Sequence, residues 1–133
     1  ANPELIEDTV EEVLRYDSPV LNSGRITHED THYHGCPVDK GECLHVSLAG
    51  ANHDPQVYKN PEKFDIERPR IQHQSFGGGR HHCLGAFLAR LEGQIAILGL
   101  VQRFPGLAMS ERGFAQKLAP EFRGMTHCWL TTG

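Results

Sequence analysis

The sequence predicts an α+β fold, and three observations carry that prediction. Apolar residues recur at helical spacing in two separate stretches, residues 2–16 and 84–104. Between them, residues 20–51 break into short β-like pieces punctuated by Gly24, Gly35, Pro37, Gly41 and Gly50. The tail after Pro105-Gly106 repeats the short-strand pattern and reads as a closing hairpin.

The first helix opens at Asn2-Pro3, where Asn caps free N–H groups and Pro suits the first turn. Leu5, Ile6, Val10, Val13 and Leu14 give it an apolar face to about Tyr16, and Asp17-Ser18-Pro19 ends it. Arg25-Ile26-Thr27 and Leu44-His45-Val46-Ser47-Leu48 read as strands, with Val38-Asp39-Lys40-Gly41-Glu42 as a hairpin turn between two of them. A short helix is expected after Asn52-His53-Asp54-Pro55, with Asp54 as its cap. Residues 59–82 form a long irregular stretch, of the kind that is usually functional or disordered. In the last helix Leu84, Leu88, Leu91, Ile95 and Leu98 form one stripe, and Phe87, Ile97, Val101 and Phe104 a second. That width predicts a core helix.

Composition narrows the function. The 133 residues carry 17 acids against 13 bases, a net charge of −4, which argues against a nucleic-acid binder. A 38% hydrophobic share supports a packed core. The longest apolar run, Ile95 to Val101, is interrupted by Gly99 and falls far short of the roughly 20 residues a membrane helix needs. The acidic opening carries no leader pattern, so a cytoplasmic chain with reduced thiols is expected. Of the four cysteines none forms a C-x-x-C pair. Cys36, Cys43 and Cys128 read as small buried hydrophobes.

Cys83 has another setting. Phe76-Gly77-Gly78-Gly79-Arg80-His81-His82 runs directly into it, and it stands at the start of the strongest helix. Free N–H groups there stabilise a thiolate, making it a nucleophile or metal ligand. The glycines let a flat or bulky group approach the main chain, Gly85 leaves space on the same side, and Phe76 offers an aromatic wall. Several readings compete: a phosphate cradle, which lacks the following Lys-Ser or Lys-Thr; a Cys–His pair with His81 or His82; zinc held by His73, His81, His82 and Cys83; a glycine-rich turn with solvated histidines; and a cysteine thiolate on haem iron. Glu12 and Arg15, three apart, share a helix face and can pair, either as an ordinary solvated ion pair or within a buried cluster.

Phe76 to Gly85 resembles the cytochrome P450 haem-binding segment, F-x-x-G-x-x-x-C-x-G, in its bacterial form. Other motifs follow in the family's order. Glu12-Val13-Leu14-Arg15 resembles the E-x-x-R of the K helix, and the chain runs on through Tyr16-Asp17-Ser18-Pro19-Val20. Gly24-Arg25 resembles the start of the family's first strand, Val38 to Glu42 its x-P-x-G-E hairpin, Ala51-Asn52-His53-Asp54-Pro55 its A-N-R-D-P, and Phe64-Asp65-Ile66-Glu67-Arg68 its F-D-x-x-R.

The resemblance implies the C-terminal portion of the P450 fold as one incomplete domain over 1–133: K helix, small β-sheet, meander, cysteine loop, L helix and closing hairpin. It implies haem b with Cys83 as the iron ligand and contacts from Arg25, Ser75, Phe76, Gly77, Gly79, His81 and Gly85. Arg25 and His81 would meet the propionates, for which Arg is well shaped. His73 is a weaker candidate for that role, its default being solvent. Glu12, Arg15 and Arg68 would form a buried cluster fixing the irregular loop. Val20, Leu21, Asn22, Met125 and Thr126 would line a pocket for a small lipophilic substrate. Arg80 and His82 would lie toward a docking ferredoxin- or flavodoxin-like electron donor, or simply in solvent. Family members are several times longer and carry a distal helix with an acid/alcohol pair that has no counterpart here. The expectation is therefore a monooxygenase fragment, with a non-catalytic haem-binding or haem-free piece as the alternative. Self-association or pairing with the absent part is expected from the uncovered apolar faces.

Overall fold

The computed structural model describes residues 2–70, 72–117 and 119–132. Asn2 caps a short 3₁₀ turn over Pro3–Leu5, its Oδ1 accepting the Glu4 N–H at 3.1 Å. Helix α1 then runs Ile6–Tyr16. It ends where the Asp17 N–H reaches back to the Val13 carbonyl, ahead of Pro19.

Two small antiparallel ladders follow. Strand β1 (Asn22–Ile26) pairs with β4 (Cys43–Ser47), placing Gly24 opposite His45 and Arg25 opposite Leu44. Strands β2 (Thr31–Tyr33) and β3 (Cys36–Val38) pair with each other across His34-Gly35. Both turn residues have positive φ, 49° and 82°, as a two-residue I′ hairpin requires. The expected hairpin about residues 38–42 is thus corrected. That turn links β3 to β4, which belong to different ladders. It closes with the Glu42 N–H on the Asp39 carbonyl, with Gly41 at φ 90°.

The short helix also moves. Helix α2 covers Leu48–Ala51, capped by Ser47 Oγ on the Gly50 N–H, and so precedes Asn52-His53-Asp54-Pro55. Asp54 caps a single turn instead, accepting the Gln56 N–H on Oδ1 and the Val57 and Tyr58 N–H groups on its carbonyl. The described residues of 52–85 are otherwise irregular except for a 3₁₀ turn at Gly79–His81.

Helix α3 spans Ala86–Arg103, starting two residues later than the apolar pattern suggested. The α1 and α3 helices pack closely at Gly93, where a Cβ would meet Val10 Cγ1 at 3.3 Å. Strands β5 (Ala108–Gln116) and β6 (Met125–Thr131) form the closing hairpin. Its connecting loop clips back onto the chain after α1. Val20 bridges Phe122, the Leu21 N–H meets the Glu121 carbonyl, the Arg123 N–H meets the Pro19 carbonyl, and Arg123 pairs with Asp17.

Two burial expectations are overturned. Helix α3 is not a core helix in this chain: Phe87, Leu88, Leu91 and Ile95, and Leu84 just before it, are exposed, and Ala86 is its one buried residue among those described. Periodicity reports which face is apolar, not whether anything covers it. Cys36, Cys43 and Cys128 are exposed as well, not buried hydrophobes. Among the described residues the buried set is largely polar: Glu12, Arg15, Ser18, Asn52, His73 and Ser75 beside Val10, Val38, Tyr58 and Ala86.

Candidate functional site: a cysteine-lined cavity over a buried charge cluster

Glu12 is the centre of the buried cluster. Arg15, one helical turn on, forks onto it with Nε on Oε2 and Nη2 on Oε1, both at 2.8 Å. Arg68 Nε approaches Oε1 at 3.3 Å, and the Asp65 N–H donates to the same oxygen at 2.8 Å. Glu12 is 5% exposed and Arg15 2%. Burial alone pushes the Glu12 carboxyl up, but the Arg15 and Arg68 guanidiniums and the Asp65 N–H outweigh it and hold it below the usual range.

The remaining guanidinium donors collect main-chain carbonyls of the irregular segment. Arg15 takes Asn52 O at 2.9 Å and Lys63 O at 3.2 Å. Arg68 takes Lys59 O, Asn60 O and Lys63 O at 2.6–3.2 Å. Carbonyls that no helix or ladder satisfies are thereby paired, which lets a structureless stretch hold one shape.

A second network carries that order to the cysteine segment. Asn52, fully buried, donates to Ser18 Oγ (2.7 Å) and Ser75 Oγ (2.8 Å) and accepts the Gln74 N–H (2.6 Å). Ser75 Oγ donates to the Leu14 carbonyl. Its hydroxyl is therefore committed to the scaffold, although Ser75 also borders the cavity described next. Ser18 and Asn52 were not among the expected site residues. A buried Asn reads in sequence like any turn residue, and only the A-N-x-D-P pattern hinted at it.

The Cys83 N–H donates to the Phe76 carbonyl at 2.8 Å, closing the glycine-rich loop. Gly77 and Gly79 have φ of 65° and 61°, a region costly for residues with a Cβ. Cys83 is exposed and borders a cavity of about 600 Å³, within the size range of ligand and cofactor sites. Phe76, Gly77 and His81 of the cysteine loop line it, together with Val20, Arg25 of β1 and Val46 of β4. Arg25 Nη1 donates to Ser23 Oγ and the Gly24 carbonyl, and has no carboxylate partner among the described residues. A guanidinium without a carboxylate partner and a thiol thus share one largely apolar chamber. A flat group with an iron at its centre and carboxylates at its edge matches this donor set.

The alternatives fare worse. Among the described residues no three His, Cys, Asp or Glu side chains converge as a metal cage, so the zinc set is not assembled. His82 Nδ1 lies against the Gly77 carbonyl at 3.3 Å, and among the described residues no hydrogen bond joins Cys83 to a histidine. Gly79 lines no part of this cavity, and a Cβ on Gly85 would sit 4.0 Å from Cys83 Sγ, in ordinary contact. Of the expected substrate residues, Val20 alone lines the cavity. Leu21 faces a separate cleft beside Phe122, Asn22 Nδ2 donates to the Pro120 carbonyl, and Thr126 Oγ1 donates across the hairpin to the Ala115 carbonyl. Met125 is exposed. Arg80 is exposed on the 3₁₀ turn before the cysteine.

His73 departs most from expectation. It is 5% exposed instead of solvated, and it lies away from the cavity. Nδ1 accepts the Ser75 N–H at 3.2 Å. Nε2 is 3.3 Å from Glu11 Oε2 but off the N–H direction, so the two lie close without an aligned hydrogen bond.

Comparison with known proteins agrees with this geometry. The family model "Cytochrome P450" matches residues 2–124. The chain is 47% identical over 110 residues to the biotin biosynthesis cytochrome P450 of Bacillus subtilis, covering 83% of this chain and 28% of that protein. It is 49% identical over 109 residues to cytochrome P450 CYP107DY1 of Priestia megaterium, covering 82% and 27%. Among solved structures, P450BioI in complex with a hexadec-9Z-enoic acid ligated acyl carrier protein superposes with a TM-score of 0.95 at 42% identity, over 99% of this chain and 34% of that one. CYP109E1 from Bacillus megaterium in complex with testosterone gives 0.93 at 34% identity, over 97% and 36%. The chain thus spans about a quarter of the length of the curated relatives it matches, and its helices, strands and cysteine loop follow a partial P450 fold. On family model, identity and superposition alike, the chain belongs to the cytochrome P450 family, whose cofactor is haem.

Proposed function

We propose that the chain supplies the iron-ligating portion of a haem-thiolate monooxygenase. The observation that carries this reading is Cys83 at the wall of a 600 Å³ cavity that also holds Arg25 and His81. Haem b, when bound, supplies dioxygen activation, with the thiolate pushing electron density toward O–O cleavage. Cys83 is the iron ligand and is held in place by its N–H on Phe76 O. Arg25, with His81, meets the propionates; a guanidinium forks onto carboxylate oxygens. Gly77 and Gly79 permit the turn, and Phe76 and Val20 keep the chamber apolar.

A small lipophilic substrate fits the apolar lining. Two neighbours support this, since they were solved with a fatty-acyl carrier protein and with testosterone. Electrons come from a ferredoxin- or flavodoxin-like donor in the cytoplasm, docking near Arg80 and His82. The exposed apolar face of α3 is covered by the part of the P450 fold that the relatives have beyond the matched region. Reconstitution with haem, reduction and carbon monoxide addition tests the ligand. A strongly red-shifted Soret band is expected, lost in Cys83→Ser. A band typical of histidine ligation in the unaltered chain would refute Cys83 as ligand.

A further inference from the structure

Next to the cysteine loop lies a circuit of side chains, Glu11, His73, Phe76 and Arg90, of which Phe76 alone also lines the cavity. Arg90 on α3 grips Glu11 on α1, with Nε and Nη2 at 2.6 and 3.1 Å from its two oxygens. The same guanidinium lies 4.6 Å from the centre of the Phe76 ring. His73 sits between, its ring 5.7 Å from Phe76 and its Nε2 against Glu11. Its Nδ1 accepts from Ser75 N–H, two residues on. An N–H donates only to an unprotonated nitrogen, so this bond requires a neutral ring protonated on Nε2. The geometry is that of an Asx turn with imidazole in place of a carboxamide.

We infer that His73 is a positioning residue for the iron ligand: its neutral ring clamps Ser75 and Phe76, whose carbonyl anchors the Cys83 N–H. This rests on the reading of Cys83 as ligand. Protonation of Nδ1 turns the acceptor into a donor facing the Ser75 N–H, and the clamp opens. Around the ring, Arg90 of α3 and Arg15 of α1 oppose that proton and Glu11 favours it, while Asp8, Glu12, Asp65, Arg68 and Arg70 border the same cleft. Burial is the largest influence and holds the ring below the usual imidazole range, so the clamp stays closed at neutral pH and opens in acid.

Two variants separate the clamp from packing. His73→Asn keeps an acceptor oxygen near the Nδ1 position but does not titrate. His73→Phe keeps a ring without an acceptor. Amide hydrogen exchange at Ser75 and Cys83 in the haem-free chain reads the clamp directly. After correction for intrinsic exchange, the unaltered chain is expected to lose protection at least tenfold on acidification below the imidazole range. His73→Asn should keep it across that range, and His73→Phe should lack it throughout. Equal protection in Asn and Phe variants, or unchanged protection in the unaltered chain while His73 protonates, overturns the inference. The haem-loaded chain is followed in parallel: the fraction showing the thiolate Soret band should fall with the same midpoint, and no such fall in His73→Asn is expected. Failure of the unaltered chain to show that band overturns the ligand reading and leaves the exchange result to decide the clamp.

Discussion

Replacing Glu12 by Gln preserves shape and removes one charge from the centre of the buried cluster. Four donors converge on its carboxylate: Nε and Nη2 of Arg15, Nε of Arg68 and the Asp65 N–H. A carboxamide offers one acceptor oxygen. Placed toward the three donors on Oε1, it turns its own NH₂ toward Arg15 Nε at a 2.8 Å separation. Arg15 and Arg68 then remain as guanidiniums with side chains only 2% and 10% exposed, without a counter-charge on Glu12. Removing one partner of a buried pair costs about 3–5 kcal/mol. Against a domain stability of about 5–15 kcal/mol, that is a large share. Urea denaturation followed by far-ultraviolet circular dichroism measures it. Glu7→Gln serves as the control, because the Glu7–Arg70 pair is exposed and a solvated pair of that kind contributes little. A Glu12→Gln loss of under about 1 kcal/mol, indistinguishable from that control, would show that the cluster behaves as a solvated pair and that the carbonyl-collecting role of the two arginines is wrong.

Asn52→Ala removes one acceptor and two donated hydrogen bonds from a fully buried site, leaving the Gln74 N–H unpaired. A loss of about 1–3 kcal/mol for that orphan alone is expected in thermal melts, with faster amide exchange across residues 72–76. Gly79→Ala meets nothing within 4 Å, so its cost is backbone strain at φ 61°, about 1–2 kcal/mol by denaturant titration; Gly79→Asn should recover part of it. Acid should destabilise the fold in two stages, seen as denaturation midpoints against pH. His73 has a depressed value in the folded chain, so the unfolded chain binds more protons and stability falls as pH drops below about 6.5. Glu11 and Glu12 are also depressed, so their contribution is present above about 4.3 and is lost as pH falls through their folded values. His73→Asn should abolish the first stage and leave the second.

Local patterns in the chain determined a good deal by themselves. The period of α1 and α3, the cap at Asn2 and the closing hairpin are encoded within a few residues of where they act. The run from Phe76 to Gly85 and the Glu12/Arg15 spacing announced a ligand loop and a charge pair, because fixed offsets on a turn and a helix reflect local geometry. Tertiary structure decided the rest. Strand partners depended on chain segments far apart, so β4 joined β1 and not β3. A histidine carries no sign of burial in its own neighbourhood, and His73 became a clamp only because α1 and α3 brought Glu11 and Arg90 together around it. The apolar stripes of α3 looked like core, yet a stripe is a property of one helix whereas burial is a property of two surfaces, and the described residues supply only one.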